Sequence, residues 1–141
     1  GLVAGTFVTF SDFVMRSLSV IGDEAQGMRA MQSINRVIYR SMFMVLFLGL
    51  TPVLGAIAYA SSDPWVSAGA ITYGLGVFGV TVVANVPMNQ KLERMDADVG
   101  PAKLYWQQYL AQWTLWNHVR SANAVAATTF LLFAATRTGA G

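Results

Sequence analysis

The chain has 141 residues, 55% of them hydrophobic and only 11% charged, with no cysteine and a formal net charge of +2. That length bounds it to a single domain, residues 1–141. The missing cysteines exclude disulfides, thiolate metal ligands and a cysteine nucleophile, and so small a charge offers no footprint for nucleic acid.

Four apolar segments follow one another and predict an all-α integral membrane four-helix bundle. The first, 1–22, is interrupted only by Asp12 and Arg16. A secretory signal peptide is the alternative there, but the segment has no basic start, carries two charges in its middle and precedes no small-x-small cleavage site. The second is uncharged over 41–62, long enough for a hydrocarbon core of about 30 Å. Met28, Met31, Asn35, Ile38 and Met42 recur at three- and four-residue spacing, which carries that helix back to a span of 25–61. Pro52 removes one of its backbone donors and predicts a kink. In the third, 65–88, Gly69, Gly74, Gly76 and Gly79 with Ala70 predict close approach to neighbouring helices. The fourth begins at Pro101, a good first-turn residue, and spans 101–137. At these lengths the second and fourth helices extend beyond the membrane on its cytoplasmic side.

Eight of the nine Lys and Arg residues gather around the first and third connections: Arg16, Arg29, Arg36, Arg40, Lys91, Arg94, Lys103 and Arg120. The turn SSDP at 61–64 has none. An excess of positive charge marks the cytoplasmic side, so those two connections face the cytoplasm and both termini face outward. A bacterial inner membrane is the expected location. The lipid bilayer is then the first partner, and the glycine-rich faces suit other membrane proteins or a second copy of the chain.

Aligning the helices by a rise of about 1.5 Å per residue brings scattered polar residues to one height. Asp12, Arg16, Asn35, Arg36, Arg40, Asn85, Asn89, Asn117, His118 and Arg120 fall in a slab near the inner edge of the membrane. Trp113, Trp116, Asn117, Arg120 and Ala124 form one stripe of a helix, and Asn85 and Asn89 share a face across Pro87. Polar groups in lipid turn inward and satisfy one another, so a polar cavity is expected in the cytoplasmic half. Each residue also has a plainer reading. The arginines can snorkel to lipid phosphates, Asp12 and Arg16 can form a structural ion pair, and the tryptophans can be an interfacial belt. The asparagines can be interhelical glue, and a lone histidine is more often structural than catalytic. Their shared height is what the plainer readings leave unexplained.

The stretches TFSDFVM (9–15), AMQSINR (30–36), NVPMNQKL (85–92) and WTLWNHVRSANA (113–124) resemble the anthrone-oxygenase-like family, long classed as a domain of unknown function. The likeness covers nearly the whole chain, with NVPMN and WNHVR its specific parts. The resemblance implies a small four-helix membrane protein, and fungal members are linked to the oxidation of an anthrone to an anthraquinone. Asn85, Pro87, Asn89, Trp113, Trp116, Asn117, His118 and Arg120 match its motifs, and Ser11, Phe13, Asn35 and Arg36 match more loosely. Asp12 departs from the expected uncharged residue.

Two function classes follow. The first is a cofactor-independent oxygenase acting on an anthrone or another flat phenolic aromatic. Here His118, the single histidine of the sequence, is the expected base. Asn117, Asn85 or Asn89 donates to the developing oxyanion, Arg120 holds its charge, and Trp113 and Trp116 stack on the ring. Asn35 and Arg36 complete the expected binding surface. No cofactor is expected: one His and no Cys cannot supply a typical three-ligand metal site, and haem on His118 is the weaker alternative. The second class is a non-catalytic accessory subunit, binding a quinone, pigment or lipid within a larger membrane complex. A transporter lacks the paired half-helices of the common folds. Whether the chain is an enzyme stays open at this level.

Overall fold

The computed structural model describes residues 1–138, and these form five helices with no strand among them. They are α1 (2–20), α2 (Glu24–Ile38), α3 (Met42–Ala60), α4 (Pro64–Glu93) and α5 (Gly100–Thr138). The all-helical class expected from the apolar periodicity is what is seen. Two helices, α3 and α4, are long and apolar enough to cross a membrane.

Local chemistry explains the boundaries. Gly22, at φ +56°, makes the turn after α1, a conformation that favours glycine. Asp23 then caps α2 by accepting from the Gln26 N–H at 2.9 Å. Asp63 caps α4 through the Trp65 N–H at 2.8 Å, with Pro64 in the first turn.

The predicted span 25–61 is two helices rather than one. The chain breaks at 39–41, between α2 and α3. Ser41 is the cause: its hydroxyl donates to the Ile38 carbonyl at 2.6 Å while accepting from the Met44 N–H at 3.4 Å. A serine that offers the backbone local partners competes with a continuous helix and favours a cap. α3 itself runs on through Pro52.

Three stretches open into the wider π-helical turn, at Phe10–Val14, Thr72–Gly79 and Thr81–Asn85. Pro87 accounts for the last, because it cannot donate to the carbonyl four residues back and its ring crowds it. Such turns re-aim side chains and are frequent at functional sites.

The centre of the packing is α5, which α1 and α4 flank along much of its length, while α2 packs on α1, α4 and α5. Gly76 faces Asn123 of α5 so closely that an added Cβ would collide with its side chain, and Gly69 lies against Leu131 in the same way. Those two glycines are the close approach that the glycine-rich stretch predicts. A cluster including Met15, Met28, Met31, Leu92 and Trp106 buries one end of the molecule. A second, including Phe7, Phe47, Tyr73, Val77 and Ala127, buries the other. The candidate site lies between them.

Candidate functional site

A cavity of about 380 Å³ runs between the two clusters, within the size range of small-molecule sites. Its walls are mostly aromatic and aliphatic, with Phe7, Phe10, Phe43, Phe47, Phe78 and Trp113 supplying the rings. Against them stand Asn35 of α2, Thr81 and Asn89 of α4, and Asn117 and Arg120 of α5.

Arg120 is 5% exposed. The ion pairs among the described residues join Arg29 to Asp98 and Arg36 to Glu93, so no carboxylate neutralises it. Its guanidinium instead lies over the Phe7 ring at 4.5 Å and the Trp113 ring at 5.0 Å, where ring quadrupoles attract a cation. Nη2 donates to Asn117 Oδ1 at 2.6 Å and Nη1 to Thr81 Oγ1 at 3.3 Å, while the buried Nε has no hydrogen-bond partner. Asn35 also carries a buried amide nitrogen, Nδ2, without a hydrogen-bond partner. Leaving a buried donor unpaired costs about 1–3 kcal/mol. The unpaired Arg120 Nε, on a residue lining the cavity, marks a place for an acceptor that the protein itself does not provide.

Asn117 orients the cation. Its Nδ2 donates to the Phe7 carbonyl at 2.8 Å and to Ser11 Oγ at 2.7 Å, and its Oδ1 receives Arg120. Ser121 gives its hydroxyl proton to the Asn117 carbonyl at 2.8 Å, so Ser11 is the donor in the 3.0 Å Ser11–Ser121 contact. With every amide hydrogen engaged, Asn117 has none left for a bound oxygen. The amide expected to donate to an oxyanion is therefore committed to protein partners and holds Arg120 in place. Asn89 behaves alike on the opposite wall: its Oδ1 accepts from Tyr109 Oη and Trp113 Nε1, each at 2.8 Å. That pair fixes the Trp113 plane, and Tyr109 stacks on Trp113 with centroids 6.1 Å apart.

Other predicted site residues lie elsewhere. Asn85 is 1% exposed but sits behind the wall, donating to the Trp113 carbonyl at 3.4 Å. His118 is exposed and does not line the cavity, because one residue further along a helix turns the side chain about 100° from Asn117. Trp116, 41% exposed, is likewise outside. Arg36 points outward to Glu93 at 2.6 Å. Asp12 and Arg16 are both exposed and form no ion pair; the π-helical turn at Phe10–Val14 removes the four-residue alignment that would join them. The cavity also uses residues not singled out from sequence, above all Thr81, Phe7, Phe43 and Phe47. Thr81 was legible in principle, since Thr81, Asn85 and Asn89 recur at four-residue spacing.

Among the described residues, fold and site together define a helical protein with two membrane-suited helices and a lone buried cation facing an aromatic cavity. A family model described as anthrone oxygenase matches residues 31–130, and the chain belongs to that family. No curated protein and no solved structure matches it. At the coarse level the family carries, its function is oxygenase-like.

Proposed function

We propose that the protein is a membrane-embedded oxygenase that converts an anthrone-type substrate, a flat phenolic aromatic with a ring ketone, without metal or flavin. In this reading α1, the joined pair α2 and α3, α4, and α5 cross the bilayer as a four-helix bundle. Turns 21–23 and 94–99 face the cytoplasm, as the positive charges around them require, in the inner membrane of a bacterial cell.

The observation that carries the proposal is Arg120, a buried guanidinium with no carboxylate and a free Nε, at an aromatic-walled cavity. An anthrone bears a CH₂ between two aryl rings, conjugated to a ketone. A cation fixed at the ketone oxygen favours loss of a CH₂ proton, because the enolate places negative charge on that oxygen. The electron-rich anion passes one electron to O₂, the radical and superoxide combine as a peroxide anion, that anion takes up the proton lost from the CH₂, and elimination of water from the hydroperoxide leaves the quinone. One O₂ is consumed and one water released for each ring oxidised. O₂ partitions well into lipid, which suits a cavity at this depth.

The test is oxygen uptake and quinone absorbance with an anthrone and the purified protein in lipid vesicles. Arg120→Gln should slow turnover by at least about tenfold, the scale of losing a fixed oxyanion donor. Wild-type turnover in that variant would overturn the assignment. A metal-free, colourless protein that remains active would support cofactor independence, and a bound chromophore needed for activity would refute it.

One observation favours a second reading. The cavity lining includes no carboxylate and no imidazole, so no strong base faces the ligand. A non-catalytic subunit that binds a quinone, pigment or lipid for a larger membrane assembly would need only the cavity and its cation. Tight binding of anthraquinone without oxygen uptake would favour it.

A further inference from the structure

We infer that the cavity is loaded sideways from the bilayer, through a cleft between α3 and α4 whose threshold is Leu48 and Val82. The inference rests on the membrane-embedded reading above and narrows its substrate class to molecules dissolved in lipid.

The cleft follows from how the two helices diverge. α3 packs against α4 along 64–79, next to their shared turn, whereas 81–93 of α4 packs on α2 and α5 instead. The first turns of α3 thus stand apart from the inner half of α4. Aromatic contacts close two neighbouring sides. Phe47 stacks on Phe78 at 5.8 Å where α3 and α4 come together, and Phe43 meets Phe7 of α1 edge-on at 5.5 Å. What stays open is the gap between Met44 and Leu48 on one bank and Val82 and Val86 on the other, all four lining the cavity.

The chemistry of the rim says which medium it meets. Leu48 and Val82 are 50% and 49% exposed, and Val45 and Val83 beside them are more exposed still. α3 has no charged residue and α4 has none before Lys91. A mouth opening on water would leave this aliphatic edge hydrated, which is unfavourable in proportion to its area. Moreover, the two helices that form the cleft are the two suited to cross a membrane. A lipid-dissolved flat aromatic can therefore slide between them and present its oxygen to Arg120, whereas a sulfonated or glycosylated analogue has no aqueous route.

The protein has no cysteine, so Val82→Cys provides a unique thiol. It is spin-labelled in detergent and returned to vesicles. Frequent collision of the label with O₂ and rare collision with a water-soluble nickel chelate is the expected result; the reverse ratio overturns the inference. This arm uses no anthrone and no turnover, so it stands even if the protein oxidises nothing, and a water-facing label would sink the cleft while leaving the oxygenase reading intact. The second arm measures uptake of anthraquinone from vesicles by unlabelled protein. Val82→Trp should slow uptake at least about tenfold, as obstruction of an entry step does. Val125→Trp, on an exposed site away from the cavity, should not. Equal uptake by all three proteins, with native helix content in each, overturns the inference.

Discussion

At the residue scale, the cavity asparagines divide by their hydrogen bonds, which composition cannot reveal. Asn89 alone receives both Tyr109 and Trp113, so Asn89→Ala would strand two donors inside an apolar wall. At about 1–3 kcal/mol for each unpaired group, the variant should lose roughly 2–6 kcal/mol of stability, measured by thermal unfolding in detergent. A shift below this range would mean that water replaces the amide. His118 provides the contrasting case. Its exposed position predicts that His118→Ala keeps ligand binding and any turnover within about twofold of wild type, the usual range for surface substitutions. A large loss would restore it as the base. Arg120, by contrast, was legible from sequence as a costly charge in an apolar helix, although its lack of a carboxylate was not.

At the element scale, apolar length and spacing placed helix along most of the chain but ran α2 and α3 together, because they overlook local competition for backbone hydrogen bonds. Ser41 divides the predicted second span in two, and Pro87 widens the turn that carries Thr81 and Asn85. Both residues stood in plain view. Their effect depends on whether the neighbouring carbonyls find other partners, which no period reports. Gly76 is the clearest packing determinant of the α4–α5 contact. Gly76→Val should push Asn123 aside and cost about 1–3 kcal/mol, the usual penalty of overpacking. A melting temperature equal to wild type would show that the helices separate freely there.

At the scale of the whole molecule, apolar surface is the dominant fact. α3 and α4 leave large aliphatic side chains such as Val45, Val53, Ile57 and Val83 about half or more exposed. A patch of that extent is a liability in water and ordinary in lipid. The membrane-embedded reading therefore predicts that the protein stays in the membrane pellet after an alkaline carbonate wash. Release into the supernatant would show that these faces are covered by another protein.

Composition and periodicity determined the helical class, included α3 and α4 among four expected spans, and drew Asn35, Asn89, Asn117 and Arg120 into one expected polar layer. Those features follow from free energies that act locally: apolar length, helical rise and the cost of charge in hydrocarbon. Only the tertiary structure decided which members of that polar layer face the cavity, because a turn of about 100° per residue separates Asn117 from His118 and Asn35 from Arg36. It also decided that Asn117 is already fully hydrogen-bonded and that Arg120 is not, since partners such as Ser11, Phe7 and Thr81 come from distant segments. Hydrogen-bond satisfaction belongs to the assembled helices rather than to any one of them.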